Sequence, residues 1–194
     1  MRVWQVVLYV SPVTVAMSLM AIFLCTLLIM FFRVREPAVV PWVSRFFLAV
    51  WVMVIGVATL SVSQSLGAGG TGVWLIPFHT LFLEDHLLGS GERDMYIRQL
   101  TANALMFVPL PILVRASFVR VSAAQSLLAC MGLSVLIEVT QWLQSAGRVA
   151  DIDDLLLNFF GAALGAGIYL MSACAVSRMR RWPLLARDSA HSCY

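Results

Sequence analysis

Lysine is missing from this chain of 194 residues; all 13 of its basic residues are arginines. Charge of either sign is scarce. Charged residues make up 12% of the sequence, where a soluble domain has about 25%. The four cysteines, Cys25, Cys130, Cys174 and Cys193, show no CxxC spacing, and three of them lie in apolar runs. That excludes a disulfide framework and a zinc site, and leaves small buried hydrophobes as the reading. There is no internal repeat and no separable soluble domain. No small-residue cleavage pattern precedes Arg33 and Arg35, so the apolar N-terminal run is expected to stay as a first span rather than leave as a signal peptide. The formal charge of +3 is too small and too scattered to suggest nucleic acid as a partner.

What is present is grease. The chain is 61% hydrophobic with a mean hydropathy of +0.90, well above the roughly 45–50% apolar content of soluble domains. The composition is that of an integral membrane protein whose immediate partner is the lipid bilayer. A spanning helix needs about 20 apolar residues. Pro12 to Phe32, Phe46 to Val62, Leu100 to Val114, Ala123 to Leu143 and Leu155 to Val176 supply five such stretches. The expected fold is therefore all-α, a polytopic transmembrane helix bundle of about five spans. The third stretch is the weakest. It carries Asn103, Pro109 and Pro111, and proline inside a helix removes a donor and clashes with the preceding turn, so a kink or break is expected there. Broken backbone at membrane depth is tolerated only under a cover of protein or in a wet cavity. Between the second and third spans, residues 74–88 are amphipathic and too short to cross. They are expected at the interface or as a re-entrant segment, with Trp74 at headgroup level.

Arginine placement orients the bundle. Arg33, Arg35 and Arg45, then Arg115 and Arg120, then Arg178, Arg180, Arg181 and Arg187 all follow odd-numbered spans. The positive-inside rule makes that side cytoplasmic, with the N-terminus outside and the C-terminus in the cytoplasm. Most acids, including Glu84, Asp85, Glu92, Asp94, Asp151, Asp153 and Asp154, fall on the opposite side. The loops 63–99 and 145–152 then share the outer face. Three segments result: a first helix with its loop at 1–45, a membrane domain at 46–176, and a basic tail at 177–194 that composition alone reads as largely disordered.

The polar residues that a greasy chain must explain concentrate between Ser134 and Gly165. Ser134, Glu138 and Gln141 share one face of the fourth span, and Asp154, Asn158, Gly161 and Gly165 share one face of the fifth. The short connection makes these helices antiparallel neighbours. Glu138 lies about six residues, or roughly 9 Å, inside the end of its helix. Asn158 and Asn103 are expected at a similar depth, converging from three helices. Gly161 and Gly165 form a GxxxG suited to close helix packing. Asp151 to Asp154 reads as an N-cap with an acidic third residue. A carboxyl within a bilayer is by default a functional candidate, which singles out Glu138. Structural alternatives stay open: an ion pair with Arg148, or a neutral acid bonded to Gln141 or Asn158. His79 and His86 lie near carboxylates, but no spacing matches a metal motif, and neither Ser134 nor Ser145 has a nucleophile signature with a histidine. No metal and no cofactor is expected.

One ordered set of residues resembles a known family. It comprises Asn103, Phe107, Pro109 and Leu110; Ser134, Glu138 and Gln141; and Gly147, Arg148, Asp151, Asp153, Asp154, Asn158, Gly161 and Gly165. Together they resemble the VanZ-like family of bacterial membrane proteins over roughly residues 46–170, and Ile76-Pro77-Phe78 is similar to that family's segment before its first shared helix. The family pattern has glycine where this chain has Pro111. The resemblance implies a multi-pass protein of the bacterial cytoplasmic (plasma) membrane, linked to resistance against the glycopeptide teicoplanin. It implies an outward-facing cleft near lipid-linked envelope precursors or lipid headgroups, lined by Asn103, Gln141, Arg148, Asp151, Asp153, Asp154 and Asn158. Two alternatives accompany that reading. One is an intramembrane hydrolase or transferase on a lipid-linked substrate, with Glu138 as catalytic general acid or base. The other is a non-enzymatic membrane partner or assembly protein whose polar residues only fix the fold.

Overall fold

The computed structural model describes residues 10–60, 72–78, 90–144 and 149–191, with backbone alone at 73, 74, 90, 149, 150 and 180–191. Helix α1 (Pro12–Arg35) starts where the sequence supplies a start signal. Ser11 accepts from the Thr14 N–H while the Thr14 hydroxyl accepts from the Ser11 N–H, and Pro12 fills the first helical position. Its end is closed by the Glu36 N–H on the Phe32 carbonyl. Helix α2 (Val39–Leu60) follows after a tight turn, seven residues ahead of the apolar run at Phe46.

Helices α3 (Ser90–Phe107) and α4 (Pro109–Ser117) together form the third span, followed by α5 (Ala123–Gln144) and α6 (Ile152–His191). Five helical segments are long and apolar enough to cross a membrane: Pro12–Arg35, Val39–Leu60, Gly91–Ser117, Ala123–Gln144 and Ile152–Met179. The protein is thus a multi-pass membrane helix bundle. Its surface agrees: Met17, Met20, Leu24 and Leu28 on α1, and Trp42, Phe46, Met53 and Val57 on α2, are all exposed. An apolar belt of this extent on a folded chain belongs against lipid.

Three boundaries differ from the sequence reading. The third span begins a full ten residues earlier than Leu100, because the polar stretch from Ser90 is already helical and continuous with it. The last helix does not stop at Val176 but runs on to His191, through the tail that looked disordered by composition. Residues 72–74, where the segment read as amphipathic begins, form a strand, β1 (Gly72–Trp74). It pairs in parallel with β2 (Val149–Asp151), Gly72 opposite Val149 and Trp74 opposite Asp151. This small ladder ties the two loops at one end of the bundle to each other. Residues 79–89 lie outside the described set.

The core is built around the proline break. Val108 keeps helical dihedrals (φ −59°, ψ −45°), so the rod continues while its hydrogen bonding is interrupted. The Val108 N–H turns to the Leu105 carbonyl at 3.2 Å, a tighter i−3 bond taking the acceptor that Pro109 cannot use. The Met106 carbonyl receives the Trp51 indole N–H from α2 at 3.0 Å. Phe107 and Leu110 enter one buried cluster with Ile55, Cys130, Ile137 and Ala162. Val108 and Ile112 enter a second with Met30, Ile168 and Tyr169. The broken segment is therefore fully wrapped, as backbone irregularity in lipid requires.

Helix α6 touches α1, α3, α4 and α5, and its glycines set how closely. A Cβ at Gly161 would collide with the Ala104 carbonyl, and one at Gly165 with the Val108 carbonyl and the Pro111 ring. The GxxxG is a packing device, and its partner is the proline-interrupted third span. Gly161→Ala and Gly165→Ala are expected to destabilise the detergent-purified protein by about 1–3 kcal/mol each, the cost of overpacking. Gly167→Ala has open space around the added methyl and should be neutral or slightly stabilising, because alanine is the better helix former. Thermal melts of the three variants decide it: equal melting temperatures would mean that the glycine contact does not hold the bundle.

Candidate functional site

The end of the bundle where α3 and α6 begin and α2 and α5 finish gathers polar side chains from α3, α5 and α6 with backbone groups of α2 and of the loop at Phe78. On α5, Ser134, Glu138 and Gln141 are all buried, at 0%, 7% and 8% exposure, so the face predicted from their spacing points into the protein. Gln141 donates to the Thr59 carbonyl at 2.9 Å, and Gln144, one turn further on, reaches the Leu60 carbonyl at 3.4 Å. Both amides thereby close carbonyls in the last turn of α2, which the helix itself leaves open.

The start of α6 is a dense acidic knot. Asp151 is the N-cap: its carboxylate accepts from the Asp153 N–H at 3.0 Å. Its own N–H approaches Glu138 at 3.4 Å. Asp153 is almost fully buried, with 1% exposure. It accepts from the Phe78 N–H at 2.7 Å and from the Tyr96 hydroxyl at 3.2 Å. Asp154 receives the Asn103 amide from α3. Placing these acids at a helix N-terminus is favourable, since the unpaired N–H groups and the helix dipole both attract negative charge.

The three residues expected to converge at one depth instead form separate pairs. Asn158 donates to Ser134 on α5 at 2.9 Å, Asn103 goes to Asp154, and Glu138 faces the N-cap backbone. The pairs sit side by side and join α3, α5 and α6. Two amide oxygens, Oδ1 of Asn158 and Oε1 of Gln144, are buried and receive no hydrogen bond. Gly161 and Gly165 lie further along α6, in the packing seam. Arg148, His79 and His86 lie outside the described residues. Among the described residues no group of three His, Cys, Asp or Glu side chains is arranged to hold a metal ion.

Sequence reasoning missed Phe78 and Tyr96. Phe78 has φ +55°, a left-handed conformation that is strained for a bulky residue. It is held there by the bond from its N–H to Asp153. Ile76-Pro77-Phe78 was visible as a motif, but a backbone donor has no side-chain signature. Tyr96 sits in a polar stretch without periodicity, and nothing local marks its partner. Chemically, the arrangement offers a buried carboxylate within a span, Glu138, next to a set of acids locked by backbone and amide donors.

A sequence model of the VanZ/LLP1 family matches residues 19–173. No curated protein and no solved structure gave a match.

Asp153 joins a loop, α3 and α6 through a single buried carboxylate. Asp153→Ala removes the acceptor for two donors and is expected to cost roughly 1–3 kcal/mol for each donor left unpaired and dry. Tyr96→Phe removes one hydroxyl and should cost less. Melting temperatures in detergent test this order; an unchanged Asp153→Ala melt would show that the acid does not anchor the loop.

Proposed function

The chain belongs to the VanZ/LLP1 family, and from that premise we propose that it works at the outer face of the bacterial cytoplasmic membrane. There its acidic polar cluster acts on or beside lipid-linked cell-envelope precursors and lowers susceptibility to teicoplanin-type glycopeptides. The observation that carries this reading is an uneven placement of charge along the bundle axis, with Arg93 and Arg98 of α3 the basic residues described at the acidic end. The carboxylates Glu138, Asp151, Asp153 and Asp154 meet at one end. Arg33, Arg35 and Arg115 close the last turns of α1 and α4 at the other. Under the positive-inside rule the arginine end is cytoplasmic, which puts the cluster where envelope precursors and glycopeptides meet. Arg148, in the connection just before β2, supplies a guanidinium fitted to a precursor phosphate or carboxylate. Glu138 is the residue in this cluster suited to proton transfer, and it makes hydrolase or transferase chemistry the enzymatic form of the reading.

A second reading has an observation of its own. The Asn103–Asp154, Asn158–Ser134 and Asp153–Tyr96 pairs are spent on one another, as they would be in a partner or assembly protein whose polar groups fix only the fold.

Expression in a glycopeptide-susceptible bacterium should raise the inhibitory concentration of teicoplanin and leave that of a ribosome-directed antibiotic unchanged. No shift, with the protein verified in the membrane, would remove the link to glycopeptides. Glu138→Gln separates the forms: lost protection with an intact melt favours chemistry at Glu138, and lost protection with a collapsed melt favours the structural role. A binding site tolerates Glu138→Gln better than Arg148→Ala. Orientation has an independent check. In a background with the four native cysteines replaced, Gly70→Cys and Gly147→Cys should both react with a membrane-impermeant thiol reagent in intact cells. Protection of both would place the cluster on the cytoplasmic side.

A further inference from the structure

At the arginine end, away from the acidic cluster, two guanidinium groups meet on one tyrosine. Arg33 on α1 donates through Nη1 to the Tyr169 hydroxyl at 2.7 Å and to the Arg115 carbonyl at 3.1 Å. Arg115 on α4 lays its guanidinium over the Tyr169 ring, 4.2 Å from the ring centre. Tyr169 itself is buried. Nε and Nη1 of Arg115 are covered by protein and, among the described residues, find no hydrogen-bond partner, while the residue as a whole is only partly buried. Among the described residues Arg33 makes no bond beyond the two through Nη1. The nearest acid in sequence, Glu36, is exposed and pairs with neither arginine.

Two cations side by side, one with covered and unpartnered donors, are costly in a bilayer unless an anion accompanies them. The stacking on Tyr169 offsets part of that cost, but a ring face does not neutralise a charge. Beside Arg33 an apolar groove of about 170 Å³ runs between α1 and α6, lined by Met30, Val34, Ala173, Val176 and Ser177 along with Arg33 itself. Its walls match a hydrocarbon chain, and its polar end is the guanidinium.

We propose that this is a binding site for an anionic phospholipid. The phosphate pairs with the guanidinium groups of Arg33 and the adjacent Arg115, and one acyl chain lies in the groove between α1 and α6. Planar guanidinium groups suit phosphate oxygens better than ammonium groups do, and the apolar groove selects a lipid over a free anion. The site shares no residue with the acidic cluster, although Arg33 and Arg115 also mark the cytoplasmic end in the reading given above.

The test is native mass spectrometry of the detergent-purified full chain with added phosphatidylglycerol or phosphatidylcholine, and thermal melts under the same conditions. The wild type should retain phosphatidylglycerol about tenfold better than phosphatidylcholine, equivalent to about 1.4 kcal/mol, and melt higher with it. Arg33→Gln and Arg115→Gln should each abolish the preference, while Arg120→Gln, an exposed arginine at the same end, should keep it. Should either variant fail to fold, Ala173→Phe, which fills the groove and leaves both charges, should lower lipid retention on its own. Equal retention of the two lipids by the wild type overturns the proposal. So does stabilisation by inorganic phosphate alone that matches the lipid's effect, which would make the site one for a free anion.

Discussion

Pro109 and Pro111 withdraw two N–H donors from a helix that stands in hydrocarbon, where no water can replace them. The rest of the bundle is arranged around that loss. Trp51 crosses from α2 to meet a carbonyl at the break. The residues flanking the prolines, Phe107, Val108, Leu110 and Ile112, are among the most buried in the protein and enter both core clusters. Helix α6 approaches so closely that only glycine fits opposite the Ala104 and Val108 carbonyls. A helix that could not stand alone in lipid thus becomes the centre against which the other spans are placed.

The same packing fixes the acidic cluster. With α6 held against α3 by its glycines, Asp154 comes within reach of Asn103, and Asn158 within reach of Ser134 across the seam to α5. The pairs are consequences of helix placement as much as causes of it. Such interhelical bonds add modestly to stability in membranes, because an unfolded helix in lipid also finds partners for its polar groups. Their value lies in setting register and depth.

Much of this was legible in the sequence, for identifiable reasons. Span number, the break at Pro109 and Pro111, the buried face of Ser134, Glu138 and Gln141, and the GxxxG seam are local properties, set by composition and helical spacing. The start of the third span at Ser90 was not legible, because its first ten residues are polar and apolar content is the signal used to find a span. Pairing was not legible either. Asn103, Asn158 and Glu138 stand at comparable depths, and depth alone does not say whether three polar groups meet or divide. The role of Phe78 rests on a backbone N–H, which leaves no trace in side-chain chemistry. The boundary at His191 was missed because a basic, polar composition is compatible with a helix that has left the bilayer.

The parallel ladder between Gly72–Trp74 and Val149–Asp151 carries a consequence for biogenesis. The first strand is synthesised about 75 residues ahead of its partner, so at about 5–20 residues per second it waits roughly 4–15 s before pairing is even available. During that interval the third span must enter the membrane with its proline break covered by α1 and α2 but not by α6, which has yet to be made. By chain order the ladder becomes available after α1 to α5 and just ahead of α6. The vulnerable moment in the life of this protein falls between the emergence of Pro109 and the arrival of Gly161, when a chaperone or insertase has the most to protect.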